Sequence, residues 1–151
     1  MSEVKRAYIS GPLTGLVKGE QHSTTRFYER IADMFERITG MRAFLPHEHY
    51  DPIKHQDYSA REVDDAERRQ ITEGTSILIA VAVAPSWGGG IEVEMANQTR
   101  IPVIILCRKD DLAARKISRL LLGNPAVVAV ITYRTEEEAL ERLERELVEM
   151  R

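Results

Sequence analysis

Short apolar runs rich in β-branched residues alternate along this chain with longer segments in which apolar residues recur at helical spacing. This alternation is typical of βαβ units, in which amphipathic helices cover a parallel sheet. One apolar stripe runs from Phe27 to Ile38 and marks the first helix. Strands are predicted at about 6–10, 42–45, 77–83, 103–107 and 126–132, and helices at about 21–39, 59–73, 90–99, 111–121 and 135–150.

The runs at 77–83 and 103–107 are apolar throughout, as expected of central strands that are covered on both faces. Right-handed connections then give a flavodoxin-like strand order 2-1-3-4-5 as the simplest winding. We therefore predict an α/β fold: a single doubly wound domain over residues 1–151, with a five-stranded parallel sheet and helices on both faces. The irregular stretch at 47–59 is long for a loop, and such loops usually shape or cover a site.

Composition narrows the class of protein. With 151 residues, 43% of them apolar, the chain is long enough for one core and too short for two comfortable domains. A net charge of −3 argues against a nucleic-acid polymer as a partner, because such surfaces are usually basic. The single cysteine, Cys107, cannot form an internal disulfide, and no signal peptide or membrane span is evident. We expect a soluble, cytoplasmic protein without a membrane partner.

A glycine-rich stretch follows the third predicted strand and leads into a helix whose first turn is expected to carry Glu92. Open parallel sheets bind ligands beyond the carboxyl ends of their strands, and Gly88 and Gly90 would let a ligand approach the backbone. A helix amino terminus also favours an ionised carboxylate or a bound phosphate. Glu92 is the candidate nucleophile; an acid that only stabilises its helix is the alternative. Glu94 points elsewhere and is predicted to be a solvated or structural carboxylate.

A second loop, at 10–15, leaves the first strand and contains Gly11 and Pro12. In the predicted topology it faces the 85–90 loop across the crevice. Neither loop has the Gly-Lys-Ser/Thr ending of a phosphate-binding loop or the spacing of a dinucleotide fingerprint, which disfavours a kinase or an NAD-dependent dehydrogenase. No cofactor is expected, and ordinary strand-to-helix turns remain the alternative for both loops.

Further carboxylates, including Asp64 and Glu67, lie among arginines on the helix before the third strand. Glycosidic cleavage through a covalent intermediate needs such a second group, which protonates the leaving atom or activates water. A solvated face of mixed charges explains the same residues equally well. His47 and His49 alternate without a third matched ligand, so no metal site is expected.

Two aromatic residues flank the glycine loops. Tyr8 lies on the first predicted strand just before the 10–15 loop, and Trp87 lies in the 85–90 loop. Aromatic faces in such places can stack on a base or a sugar. For Tyr8, core packing is the competing interpretation.

Three segments carry a resemblance to a known family. They are Tyr-Ile-Ser-Gly-Pro at 8–12, Pro-Ser-Trp-Gly-Gly-Gly-Ile-Glu at 85–92 and Lys-Ile-Ser-Arg-Leu-Leu-Leu-Gly at 116–123. Together they resemble the nucleoside 2-deoxyribosyltransferase family, and the last segment looks like the branch that hydrolyses 2′-deoxynucleoside 5′-monophosphates. The resemblance spans nearly the full chain, and the segment at 85–92 is its most specific part.

This resemblance implies an enzyme that cleaves the N-glycosidic bond of a (deoxy)nucleoside or its 5′-monophosphate. Glu92 would attack C1′, and Tyr8 would position Glu92. The aspartate that assists the leaving base in the family falls at Glu67 here, so either Glu67 or Asp64 of the preceding turn takes that role. Water as the acceptor would give hydrolysis, and a second base would give transfer.

The resemblance also implies how the substrate is held. Serines matching Ser86 and Ser118 would bind the 5′-phosphate, the second from a neighbouring subunit of a homodimer or larger assembly. Because Glu67 replaces the aspartate of the family, a non-catalytic nucleotide-binding or sensing module is the alternative function. The residues expected to contact substrate are Gly11, Pro12, Ser86, Trp87, Gly88, Gly90 and Ser118.

Overall fold

The computed structural model describes residues 5–17, 19–52 and 54–150. Within these ranges no helix combines the length and the apolar character needed to cross a membrane. The elements, in chain order, are β1 Arg6–Ser10, α1 Gln21–Thr39, α2 Pro46–Tyr50, α3 Ala60–Gly74, β2 Thr75–Val81, α4 Trp87–Gln98, β3 Val103–Arg108, α5 Lys109–Ala113, α6 Arg119–Leu122, β4 Val127–Tyr133 and α7 Glu136–Glu149.

The strands form one parallel sheet in the order β1-β2-β3-β4. β2 and β3 each have a neighbour on both sides and are buried along almost their whole length. The central positions predicted from their uninterrupted apolar runs are therefore confirmed. Because all strands are parallel, their carboxyl ends meet at one edge of the sheet, where open α/β folds bind ligands.

The segment predicted as the second strand, at 42–45, is not a strand of this sheet. It makes one isolated parallel bridge, between Tyr8 and Phe44, whose two backbone hydrogen bonds are 2.8 and 3.0 Å long. Pro46 follows and begins α2, and proline has no N–H to extend the pairing. Among the described residues the sheet has four strands rather than five, so the predicted five-stranded order 2-1-3-4-5 is not confirmed.

Apolar side chains fill both faces of the sheet. One cluster joins α1 and α7 to the sheet and contains Ile31 and Leu143. The second cluster joins α3 and α4 to the opposite face and contains Ile71, Val93 and Tyr8. Successive residues of a strand point to opposite faces, so each central strand contributes to both clusters. Helices cover the sheet on both sides.

The helix predicted at 90–99 begins three residues earlier, at Trp87. The glycines at 88–90 are therefore in its first turn, not in a loop before it. Ser86 makes this start possible, because its hydroxyl accepts a hydrogen bond from the Gly89 N–H at 3.0 Å and caps the helix. This earlier start changes the position of Glu92 along the helix.

Two other segments also differ from the prediction. The single helix expected at 111–121 is divided into α5 and α6. Between them Arg115 has a φ of 57°, a left-handed conformation that ends the helical run. The stretch at 47–59, expected to be irregular, contains most of α2, which has Pro46 at its first position. Ser59 then begins α3 through a capping box with Glu62.

Candidate active site

Glu92 lies in the second turn of α4, because that helix begins at Trp87. The expectation of a first-turn carboxylate is therefore wrong. Stabilisation by the helix dipole falls off within the first turn. The alternative interpretation of Glu92, as an acid that only stabilises its helix, therefore loses its basis. Glu92 is instead buried, with 8% of its surface exposed. A buried carboxyl group needs hydrogen-bond partners.

β1 supplies these partners. The Tyr8 hydroxyl donates to Oε2 of Glu92, and the Ser10 hydroxyl donates to Oε1 at 2.8 Å. Tyr8 and Ser10 are two positions apart on a strand, so both point to the face that α4 covers. Each carboxylate oxygen thus has its own donor, which fixes the orientation of the group. Ser10 is not among the site residues predicted from sequence, although its spacing from Tyr8 is a signal that identifies it.

The carboxyl group of Glu92 titrates far from its ordinary range. Burial raises the pKa of Glu92 to about 7, while the hydrogen bonds from Tyr8 and Ser10 act in the opposite direction by favouring the ionised form. Burial and the charge of Glu92 hold the pKa of Tyr8 well above its ordinary value, so Tyr8 remains a neutral donor. A carboxylate held by neutral donors and poised near neutrality suits a nucleophile.

Glu67 of α3 is the second carboxyl group of the site. Burial, then the charge of Glu92, then that of Asp64 raise the pKa of Glu67 to about 8. Glu67 also contributes to the raised pKa of Tyr8, so Tyr8, Glu67 and Glu92 share one electrostatic environment. Burial thus raises the pKa of both carboxyl groups, while only Glu92 has hydrogen-bond donors that favour its ionised form. Two carboxyl groups with separated pKa values are the usual arrangement for dividing acid and nucleophile roles.

Asp64 has a different environment one turn before Glu67. Its two oxygens accept hydrogen bonds from Nε and Nη2 of Arg68 at 2.9 and 3.0 Å. Both side chains are about half exposed, and the pairing with Arg68 lowers the pKa of Asp64. The solvated, charge-paired face described in the sequence analysis fits Asp64. Of the two candidates for the acid, Glu67 has the protonation state that the role requires.

The two loops predicted to face each other are in contact. A Cβ placed on Gly15 would lie 3.3 Å from the carbonyl oxygen of Pro85. A Cβ placed on Gly89 would lie 3.5 Å from the hydroxyl oxygen of Ser10. The absence of side chains at these positions lets the 10–15 loop approach the first turn of α4 closely.

Gly88 and Gly90 have a different role in the first turn of α4. A Cβ on either residue would meet nothing within 4 Å. Glycine inside a helix costs about 1 kcal/mol relative to alanine. Because a Cβ would fit at both positions, packing within the chain does not explain why both residues are glycine. They leave open space beside Ser86, whose hydroxyl caps the helix and keeps its own proton free for a further acceptor.

Tyr28 of α1 fixes the loop that contains Gly11 and Pro12. Its hydroxyl donates to the Pro12 carbonyl oxygen at 2.9 Å, and its ring fills the space that a Cβ on Gly11 would need. Tyr28 is 2% exposed, and burial, Tyr133 and Glu92 raise its pKa. Sequence analysis missed this residue, because its place on the apolar stripe of α1 indicates only core packing.

Trp87 and Ser118 are both exposed. Trp87 is the first residue of α4 and is 92% exposed. Ser118 precedes α6 and lines an open depression of about 790 Å³, together with the basic residues Arg115, Lys116 and Arg119. None of the residues that surround the carboxyl pair lines this depression.

The two histidines considered as metal ligands have other neighbours. His47 is buried, and its Nε2 lies 3.3 Å from a carboxylate oxygen of Glu29. His49 is exposed and stacks on Phe44, with 4.9 Å between ring centroids. In the described ranges no group of three or more His, Cys, Asp or Glu side chains is arranged to hold a metal ion. Glu94, by contrast with Glu92, is exposed and bonded to Asn97, as predicted.

No protein-family model matches the chain, and no curated protein sequence matches it significantly. Solved structures do share its fold. The CMP N-glycosidase BcmB of Clostridium botulinum is 20% identical, with a TM-score of 0.65 over 94% of this chain and 99% of its own. A conserved protein of Enterococcus faecalis V583 is 18% identical, with a TM-score of 0.63 over 95% of this chain and 99% of its own.

A third structure of the same fold is that of BlsM, determined in solution. It is 18% identical, with a TM-score of 0.70 over 99% of this chain and 94% of its own. These likenesses show a shared α/β fold.

Proposed function

We propose that this protein cleaves the N-glycosidic bond of a (deoxy)nucleoside or its 5′-monophosphate and retains the configuration at C1′. The observation that carries the proposal is the pairing of buried Glu92, whose ionised form the hydrogen bonds from Tyr8 and Ser10 favour, with Glu67, whose protonated form is favoured by a pKa raised to about 8. Retaining glycosidases use two carboxyl groups in these two states.

In the first step an oxygen of ionised Glu92 attacks C1′ and forms a glycosyl ester. The bond between C1′ and the base nitrogen breaks, and its electron pair stays with the base. The proton of Glu67 passes to a ring atom or an exocyclic atom of the base, so the base leaves neutral. Tyr8 and Ser10 keep the attacking carboxylate oriented throughout.

In the second step water attacks C1′ and breaks the ester bond. The carboxylate of Glu67 accepts a proton from that water, and Glu92 leaves as a carboxylate, so both groups return to their starting states. A second base in place of water would give transfer, with Glu67 accepting the proton of the incoming nitrogen. The resting enzyme is regenerated in both cases without any cofactor.

The shared fold supports a nucleotide as the substrate class, since one protein of this fold is a CMP N-glycosidase. Within this chain, the open first turn of α4 is where we place the 5′-phosphate, next to Ser86, Gly88 and Gly90. A helix amino terminus attracts an anion, and the Ser86 hydroxyl can donate to it. Gly11 and Pro12 close the opposite side of the crevice.

We further propose a homodimer in which the partner subunit's Ser118 completes the phosphate site. Ser118 is exposed and lines an open depression together with three basic residues, a surface that could reach a phosphate across an interface. Trp87 and Leu120 are 92% and 88% exposed, and large apolar side chains exposed to that extent are usual at contact surfaces. Sedimentation of the purified protein would measure the assembly directly.

The experiment that tests the function is incubation with dAMP, dGMP, dCMP and the matching nucleosides, followed by chromatography of the free base. We expect release of a base, and Glu92→Gln should reduce the rate on the order of a thousandfold or more. Glu94→Gln is the matched control, because Glu94 lies on the same helix but is solvated. Tight nucleotide binding with no base release would instead establish the non-catalytic sensing module.

A further inference from the structure

A row of aromatic rings leads from Tyr8 outwards along the segment that follows Phe44. Tyr8 stacks on Phe44 with 5.2 Å between centroids, and Phe44 stacks on His49 at 4.9 Å. The row ends in Tyr50 and Tyr58, whose centroids are 5.2 Å apart and whose planes meet at 74°. These two rings form a corner with nearly perpendicular walls, which we call the Tyr50–Tyr58 corner.

Tyr50 connects this corner to the candidate site. Tyr50 is partly buried and packs against the apolar cluster that contains Tyr8. Tyr50 and Glu67 both contribute to the raised pKa of Tyr8, so both lie near the hydroxyl that holds Glu92. Tyr58 is 48% exposed, so its ring is accessible from solvent. The Tyr50 ring is therefore anchored near the carboxyl pair, and the Tyr58 ring is open to solvent.

Local hydrogen bonds join Asp51 and His55, which lie between the two rings in sequence. The backbone N–H of Asp51 donates to Nδ1 of His55 at 3.0 Å, and the His55 N–H donates to the Asp51 carbonyl oxygen at 2.8 Å. The His55 ring lies 6.5 Å from that of Tyr58. Directly after Tyr58, Ser59 caps the helix that carries Glu67. The corner is thus connected to the proposed acid by a short, capped stretch of chain.

We propose that the Tyr50–Tyr58 corner binds the nucleobase of the substrate. This inference rests on the proposed function and deepens it. The leaving base must face Glu67 to receive its proton. The corner ends a row of rings that begins at Tyr8, and the chain runs from Tyr58 directly into the helix that carries Glu67, whereas Trp87 follows Ser86 at the proposed phosphate end. A planar base stacked on one ring would meet the other ring edge-on, the two contacts that aromatic systems favour. Stacking of this kind accepts several bases, because every base has an aromatic face.

The test separates recognition of the base from recognition of the sugar phosphate. Binding of dAMP, dGMP and dCMP and of 2-deoxyribose 5-phosphate is measured calorimetrically on the Glu92→Gln protein, which leaves the nucleotide intact. Adding Tyr58→Leu or Tyr50→Leu should raise Kd for the best-bound nucleotide about tenfold or more and leave Kd for the sugar phosphate within about twofold. Tyr50→Phe keeps the ring and should bind like the parent.

Lys54→Ala is the control, since this exposed residue lies in the same segment and its structural hydrogen bond uses only backbone N–H. Unchanged nucleotide affinity in the Tyr58→Leu protein, or equal weakening for nucleotide and sugar phosphate, would overturn the inference. Failure of the proposed function gives a different result: the wild-type protein would release no base, while the corner variants would still lose nucleotide affinity.

Discussion

Tyr8 donates a hydrogen bond to Glu92 across 84 residues of sequence, and this contact ties β1 to α4 at the centre of the candidate site. Ser10 makes the matching contact with the other carboxylate oxygen. Both donors favour the ionised form of Glu92 in a place where burial favours the neutral form. The balance between these effects determines the pH at which Glu92 can act.

The dependence of kcat/KM on pH should form a narrow bell. Activity requires an ionised Glu92, with a pKa of about 7, and a protonated Glu67, with a pKa of about 8. The rate should fall at acid pH as Glu92 gains its proton and at alkaline pH as Glu67 loses its own. Because the two carboxyl groups interact, the apparent pKa values of the two limbs belong to the pair and not to either residue alone. Glu67→Gln should abolish the alkaline limb and Asp64→Asn should leave it; a profile that stays flat through neutrality would contradict the assignment.

Tyr8→Phe should shift the acid limb of this profile towards higher pH. The substitution keeps the ring and its stacking on Phe44 but removes a donor that lowers the pKa of Glu92. Ser10→Ala should shift the limb in the same direction, since Ser10 acts on the other oxygen. The measurement is kcat/KM against pH for each variant. An unchanged acid limb in both proteins would show that these hydroxyls do not tune Glu92.

The pH dependence of the free energy of unfolding should also reflect the raised pKa of Glu92. A carboxyl whose pKa rises on folding from 4.5 to about 7 contributes stability that is fully present below about 4.5 and is lost as the pH rises through about 7. Replacing Glu92 by Gln removes this loss. The free energy of unfolding of Glu92→Gln minus that of wild type should therefore be larger at pH 8 than at pH 4, as measured by urea denaturation.

Glu94→Gln provides the control for that measurement. Hydrogen bonds from Asn97, Gln98 and Asn124 lower the pKa of Glu94, so its contribution is present at neutral pH and is lost as the pH falls. The relative stability of Glu94→Gln should change with pH in the opposite direction from that of Glu92→Gln. The same direction in both variants would mean that burial of Glu92 does not govern its titration.

Gly88→Ala and Gly90→Ala should stabilise the protein and weaken substrate binding. A Cβ meets no neighbour at either position, and alanine is the better helix former by up to about 1 kcal/mol. The new methyl group would, however, occupy space in the proposed phosphate site. Thermal denaturation and KM for a 5′-monophosphate check the two effects. Gly11→Ala serves as the contrast, because its Cβ would overlap Tyr28 and destabilise the loop.

The alternation of short apolar runs and amphipathic segments predicted the parallel α/β architecture, because β2 and β3 are buried on both faces and their sequences have no polar alternation. The same logic failed at 42–45, where four extended residues bridge β1 only once before Pro46 starts a helix. Whether a short apolar run completes a strand depends on pairing partners and on the chain that follows, which a local pattern does not contain.

The residues of the candidate site were predicted more fully than their arrangement. Glu92, Glu67 and Tyr8 were identified from sequence, and the structure brings all three together. The first turn of α4 was misplaced, because three glycines indicate a loop and the capping effect of Ser86 outweighs their low helix propensity. Ser10 and Tyr28 were missed because their hydrogen bonds join segments that are distant in sequence.

The most direct test of the central claim is mass spectrometry of the protein after reaction with a 2-fluorinated nucleotide analogue, which slows hydrolysis of a glycosyl ester. The account predicts an adduct with the mass of the fluorinated sugar phosphate, located on the peptide that contains Glu92 and absent from the Glu92→Gln protein. An unmodified Glu92 peptide in a preparation that demonstrably releases the base, or an adduct on another residue, would contradict it.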